Sequence, residues 1–357
     1  MNVEIEINVY IVIFKRLHFL SFRREKEGLL HRFEIDERTK DKKRPKVDPT
    51  KAVKCFSRSA AGQVLTDPDY LRPAPVLMFT VKYLYNKIVT RTDVDWIVIY
   101  DFVFDRLRSV RQDIVIQRIG CPSRIQIFEL IVRFLVYASH RLCQKNISEF
   151  DPKINSDHLL ECIKHLLVLY DEQDTTDSTD LDKILENLSL DNNRSQMEAL
   201  YLLLYIGDAE ALSRALNLPL SLRKSTEIQL ATKISLSWYL KNYVRACSLI
   251  QKLSPILICA VMTNLQILRR NALKIMSSGY NSKTLTFPGL KLQELLLYKD
   301  IAKVQADCES CGLTFINQNV LFQKANFKNN TTLTVPEMYY TSKAMHEFLP
   351  HILFDSL

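Results

Sequence analysis

The sequence predicts a mainly α-helical protein, an irregular helical solenoid capped by a C-terminal winged helix. Three observations point there. From residue 73 onward, apolar residues recur in steps of three and four, the period of one helix face. The seven glycines (Gly28, Gly62, Gly120, Gly207, Gly279, Gly289 and Gly312) are never closer than ten residues. That spacing excludes the dinucleotide fingerprint, the P-loop and the nucleophile elbow. After Ser277 the pattern becomes short helix, turn, helix and strand-like hairpin, the order of a winged-helix unit. With 47% apolar and 25% charged residues among 357, the chain is globular in composition.

Residues 1–22 read as an N-terminal extension to which no function is assigned. Glu4 and Glu6 stand where a signal peptide carries positive charge, and Lys15 and Arg16 close the short apolar run, so a non-secretory start is expected. No run of about 18 uncharged apolar residues occurs, so no membrane is expected as a partner. Residues 23–72 form a basic N-terminal segment in a chain of net charge +8. Its run Arg38–Lys46 holds six cations and one acid, Asp41. Such a run is a solvated loop, a nuclear import signal or a phosphate-contacting segment.

Residues 73–277 carry the solenoid. Leu77, Val81, Leu84 and Ile88 lie on one face, as do Trp96, Ile99, Val103, Leu107, Val110 and Ile114. Phe128, Ile131, Leu135, Ala138 and Leu142 repeat the pattern. Asp48-Pro49 and Asp151-Pro152 each place a capping carboxylate before a proline suited to a first helical turn. The stretch near 171–191 holds eight acids against Lys183 and reads as an acidic linker, disordered or extended. Ser195–Ile206 and Ala209–Leu216 form a helix pair around Gly207-Asp208, followed by helices near 225–237, 241–251 and 255–277.

Residues 278–328 form the winged-helix module. Phe287-Pro288 opens a helix over Leu290–Tyr298, and Asp300 caps a second over Ile301–Cys311 that Gly312 ends in a left-handed conformation. Thr314–Ile316 and Val320–Phe322 flank the hairpin loop Asn317-Gln318-Asn319. Residues 329–357 form a polar, then amphipathic tail.

Candidate chemistry is sparse. His346 and His351 are five apart with Pro350 between them, whereas a zinc-binding helix needs histidines four apart on an unbroken turn. His158, Cys162 and His165 share a helix face, but the outer two stand about 10 Å apart along the axis, too far for one ion. Cys308-Glu309-Ser310-Cys311 lacks a second pair and sits at the wrong helix end for a redox motif. The eight cysteines read as reduced core residues of a reducing compartment, cytosol or nucleus. No metal, cofactor or small-molecule substrate is expected.

Several strings resemble those of one family. Lys54-Cys55-Phe56-Ser57-Arg58-Ser59-Ala60-Ala61 is similar to its K-x-(Y/F)-S-R-S element, and Leu71-Arg72-Pro73-Ala74-Pro75-Val76-Leu77 to its L-R-P-x-P-V-L element. Tyr100–Ile114 resembles its arginine helix, and Phe150–Asn155 and Phe287–Leu290 also fit. These strings, in order over roughly residues 23 to 327, resemble the Sac-three/GANP family. Phe19-Leu20-Ser21-Phe22 stands where the family has a Cys-Pro element. The resemblance implies a PCI-type helical scaffold, ending in a winged helix and without catalytic activity. Gly28-Leu29-Leu30-His31-Arg32-Phe33-Glu34 resembles the family's short members, associated with centrosome duplication, spindle assembly and mitotic progression.

The expected function is accordingly a non-enzymatic scaffold of the centrosome and spindle cycle; the alternative is an RNA-binding platform in nuclear mRNA export. Protein partners of a multi-subunit complex are expected, in nucleus and cytoplasm or at the centrosome and spindle, with RNA held through basic surface. The contacts chosen for RNA or a partner are Lys40, Lys42, Lys43, Arg44 and Lys46 in the loop. To these are added Arg106, Arg108 and Arg111 on the polar face of the arginine helix, and Lys291 on the first winged-helix helix.

Overall fold

The computed structural model describes residues 24–58, 71–175, 181–333 and 337–353, with the backbone alone at 175 and 181–192. The chain is mainly α-helical, consistent with a solenoid of paired helices. It divides into two compact units, Met1–Ile131 and Val132–Leu357.

In the first unit, Ala74–Tyr83 begins under Pro73 and runs directly into a wider π-helical turn, Leu84–Val89. Its neighbour is the arginine helix, Trp96–Gln117, whose N-cap Asp95 accepts from Ile97 N. The apolar residues read from the sequence on both helices are buried, Leu77 and Leu107 among them. Tyr85 donates its hydroxyl to Leu130 O at 2.8 Å, tying the π turn to the first half of the helix Cys121–Arg141. Asp48 does not start a helix. Its carboxylate accepts from Thr50 N at 3.0 Å and Thr50 Oγ1 at 2.6 Å, so it closes a turn within itself.

The second unit contains Leu135, also buried. Asp151 does cap a helix, Pro152–Thr175, by accepting from Lys153 N. The acidic stretch near 171–191, expected as an extended linker, enters helices at both ends, Pro152–Thr175 and Leu181–Leu204. Residues 176–180 between them lie outside the described residues. The acids at the first end are neutralised from elsewhere: Arg194 holds Asp174 at 2.6 and 2.8 Å, and Arg214 holds both Asp171, at 2.9 Å, and Glu198. Gly207, at φ 89°, turns the chain into Ala209–Asn217, capped by Asp208.

The segment expected as one helix over 255–277 is two, Pro255–Met262 and Leu265–Gly279. The reason is Asn264, whose side-chain amide donates to Leu203 O and Leu204 O at 3.3 and 3.0 Å. It satisfies carbonyls left open at the end of the Leu181–Leu204 helix, and the kink there costs less than those orphaned groups.

Strand β1 (Phe287–Pro288), helices Gly289–Leu295 and Ile301–Ser310, and strands β2 (Thr314–Ile316) and β3 (Asn319–Leu321) follow in order. The antiparallel sheet runs β1-β3-β2, with Phe287 opposite Val320 and Ile316 opposite Asn319. The hairpin loop is one residue shorter than expected. Asn317 and Gln318, both at positive φ, make the turn, and Asn319 already pairs. Gly289 N donates to Gln318 O at 2.9 Å, and a Cβ on Gly289 would meet that oxygen at 2.4 Å.

The tail is folded where described. Helix Ser342–Leu353 passes through Pro350 rather than ending there, because Met345, Leu349, Ile352 and Leu353 bury its apolar face. Tyr137 donates to Met345 O at 3.0 Å.

Candidate functional site

The basic loop is built on one buried carboxylate. Glu34 is fully buried and accepts from Arg24 at 2.7 and 3.0 Å, Arg106 at 3.1 Å, Val53 N at 3.0 Å and His31 N at 3.4 Å. Two guanidinium groups and two backbone amides compensate the charge that burial would otherwise penalise. The His31 ring packs against Phe33 and Phe102, and burial, aided by the Arg106 charge, pushes its pKa down to about 4. His31 is therefore neutral at pH 7, and its Nδ1 accepts from Phe33 N.

From this base the chain leaves through the Ile35–Val47 bridge. Asp36 N donates to Lys46 O at 2.9 Å, and the buried Thr39 hydroxyl accepts from Lys46 N at 2.9 Å while donating to Asp36 O at 2.9 Å. These bonds close the loop across its own neck. Lys40, Lys42, Lys43, Arg44 and Lys46 all stand exposed on it. Among the described residues none of these five side chains has an ion-pair partner, while Glu37 at the loop's start pairs with Lys51 at 3.3 Å. The cations are thus held close together on a fixed backbone and left to solvent.

The arginine helix is placed differently. Arg106 is only 6% exposed, paired with Glu34 and its neighbour Asp105, with its guanidinium 4.4 Å from the Phe102 ring centre. The polar face drawn from sequence does not include it, because Glu34, from a distant segment, draws it inward. Arg108 is half-buried, 3.9 Å over the Phe56 ring, and Arg111 is half-buried too. Beside them, Phe56 N donates to Asp105 at 3.2 Å and Gln112 donates to Ser57 O at 2.8 Å. One turn on, buried Asp113 accepts from Lys54 Nζ at 2.5 Å and Arg72 Nε at 2.7 Å, and Arg72 also reaches Ser109 Oγ at 2.9 Å. Burial lowers the pKa of Lys54 even against the pull of Asp113.

The three family-like strings Lys54–Ala61, Leu71–Leu77 and Tyr100–Ile114 therefore meet, with Lys54, Arg72 and Asp113 as their joint. Residues 59–61 of the first string lie outside the described residues. Glu34 and Arg24 were not read as site residues from sequence: Glu34 shares its stretch with Asp36 and Glu37, and nothing local marks which of these acids is buried.

Lys291 belongs to the second unit, exposed and paired with Glu294 at 2.7 Å. A cavity of about 210 Å³ in that unit is lined by Tyr298, Gln293, Arg269 and Glu337, among others. Its ion pair, Arg269 and Glu337, is already engaged. Arg269 is buried, pairs with Glu337 at 2.7 Å, donates to Leu296 O and Leu297 O, and stacks 3.8 Å over Tyr298. Cys308 and Cys311 are buried, and burial raises both thiol pKa values, that of Cys311 to about 11, which keeps them protonated and unreactive at pH 7. Among the described residues no three His, Cys, Asp or Glu side chains gather as a metal site, and no helix is long and apolar enough to cross a membrane.

Mainly helical, with its buried charges spent on joining its own segments, the chain is of the α-helical scaffold class. The family model for the SAC3/GANP family matches residues 20–317, and the chain belongs to that family. It is similar to "SAC3 family protein 1" of Schizosaccharomyces pombe, 26% identical over 83% of this chain and 29% of that protein. It is also similar to "Protein xmas" of Drosophila melanogaster, 29% identical over 55% of this chain and 9% of that protein. "SAC3 family protein B" of Arabidopsis thaliana is 24% identical over 72% of this chain and 15% of that protein. The chain thus spans less than a third of each of these relatives.

Proposed function

We propose that this chain is a non-catalytic scaffold that holds protein partners in a multi-subunit nuclear complex of mRNA export and touches RNA through its basic loop. Membership of the SAC3/GANP family supports the scaffold. The observation that carries the RNA contact is the set of five exposed cations, without ion-pair partners among the described residues, on a loop closed by Thr39 and the Ile35–Val47 bridge. Fixing cations in place before binding reduces the ordering cost that a flexible tail incurs on meeting phosphate. The unit of β1, two helices and the β2–β3 hairpin acts in this reading as the winged helix of a PCI-type module, presenting Lys291 as a further contact.

A binding titration with single-stranded RNA tests the reading. Affinity should fall steeply with salt and equally for unrelated sequences, because phosphate contacts carry no sequence information. Absence of binding at low salt sinks it.

A second reading, a scaffold of centrosome duplication and the mitotic spindle, rests on the likeness of Gly28–Glu34 to short family members. Those residues hold Glu34 and His31, so the likeness falls on the base of the loop. Following a tagged chain through the cell cycle separates the two: spindle-pole signal without nuclear signal in interphase favours the second.

A further inference from the structure

Between Glu227 and Glu294 the chain runs for 66 residues without one Asp or Glu, yet with nine Lys and Arg. Buried Arg269 donates to Leu296 O and pairs with Glu337, half-buried Arg270 donates to Thr331 O and Asn329 O, and Lys291 pairs with Glu294. The others stand exposed and, among the described residues, without an ion-pair partner.

Three of them, Lys233, Lys241 and Arg245, surround a corner that is also apolar. Helix Thr226–Tyr239 ends there and Tyr243–Ile250 begins, the two packed together. Leu240 is 73% exposed, Tyr239 64%, and Leu236 and Val244 are exposed as well. Leu236 and Leu240 are one helical turn apart, with Lys233 one turn before them. The corner is rigid. Lys241 N donates to Trp238 O at 2.8 Å and Asn242 N to Ser237 O at 2.7 Å, and Asn242 then caps the next helix through Arg245 N at 3.1 Å. Lys241 itself holds the left-handed conformation, φ 60°, that glycine ordinarily fills.

We infer that this corner docks an acidic amphipathic helix of a protein partner. Such a helix lays its apolar stripe on Leu236, Leu240 and Val244 and its flanking carboxylates against Lys233, Lys241 and Arg245. The complementarity is twofold: Lys233, Lys241 and Arg245, in a stretch of sequence without a single acid, attract carboxylates and repel cations, while exposed aliphatic groups offer nothing to phosphate. RNA is served better by the basic loop, whose cations are not interleaved with leucines.

The probe is a fluorescein-labelled amphipathic peptide of about five helical turns, leucines along one face and glutamates beside them, added to the full chain and followed by anisotropy. A Kd of about 100 µM or tighter is expected. Leu240→Ser with Val244→Ser should weaken it about 10-fold at every salt concentration. Lys241→Glu with Arg245→Glu should weaken it about 10-fold at low salt and create binding for the same peptide with lysines in place of glutamates. Both pairs are exposed, so helicity and Tm should not move, and neutralising the Lys40–Lys46 loop should leave peptide affinity unchanged. No binding at about 1 mM peptide, equal binding of a glutamine-for-glutamate peptide, or no response to either double variant overturns the inference. Loss of RNA or anionic-vesicle binding in Lys241→Glu/Arg245→Glu, with peptide affinity intact, assigns the corner to those ligands instead.

Discussion

Glu34 and Arg106, 72 positions apart in sequence, meet at 3.1 Å in the interior of the first unit, and the basic loop stands on their contact. Removing the charge at Glu34 leaves Arg24 and Arg106 facing a neutral amide in a dry site. Glu34→Gln should therefore cost about 3–5 kcal/mol of stability, the usual cost of breaking a buried pair. Glu37→Gln, a few residues away but 85% exposed, should change it by about 0.5 kcal/mol or less. Urea titrations of the two variants check the contrast; equal effects would mean that Glu34 does not organise the unit.

Replacing Lys40, Lys42, Lys43, Arg44 and Lys46 by glutamine should leave the unfolding midpoint in place, since all five are exposed. RNA affinity should fall, and the slope of log K against log salt should flatten by about 0.7 for each single-strand phosphate no longer neutralised. An unchanged slope clears the loop of that role.

His140 is 2% exposed, and burial pushes its pKa down to about 4. Its Nε2 accepts from Tyr340 N at 3.3 Å, a bond that the protonated ring cannot make. Between pH 6.5 and 4 the unfolded chain binds a proton that the folded chain refuses, so stability is present above that window and is lost as pH falls through it. The slope reaches about 1 kcal/mol per pH unit for one such histidine. Denaturant titrations at pH 7, 6 and 5 should show the decline, and His140→Gln should make it shallower.

Gly312 sits at φ 82°, and a Cβ there would meet Asn326 O at 2.3 Å. Gly312→Ala should cost more than about 1 kcal/mol from the backbone conformation alone, with the clash added. Gly120→Ala, where a Cβ meets nothing, is the matched control. Thermal unfolding of both distinguishes a fixed end of the Ile301–Ser310 helix from a yielding one.

The helices were legible because burial is written into them periodically: Leu77, Leu107 and Leu135 each sit where a step of three or four places them. Local polar signals were readable where they act within a turn, as with Asp151, Asp300 and Gly312. Asp48 looks identical to Asp151 in sequence and differs only in the residues beyond Pro49. The break at Asn264 answers to carbonyls some 60 residues earlier, and the burial of Arg106 answers to Glu34; neither partner leaves a trace in the local pattern. The exposed loop cations were legible because charge density alone forbids burial. The half-buried state of Arg108 needed Phe56 to be seen beside it.

The joint of Lys54, Arg72 and Asp113 also dictates an order of events as the chain is made. Asp113 lies 59 residues after Lys54 and 41 after Arg72, so both cations are synthesised before their carboxylate exists. Glu34 likewise waits for Arg106. Closing loops of such length is entropically costly, and until the arginine helix emerges Glu34 lacks Arg106 and the cations Lys54 and Arg72 lack their carboxylate. Chains halted before Asp105 should therefore remain protease-sensitive across residues 24–58, and chains extended past Ile119 should become resistant, so that the N-terminal unit is completed from its far end backward.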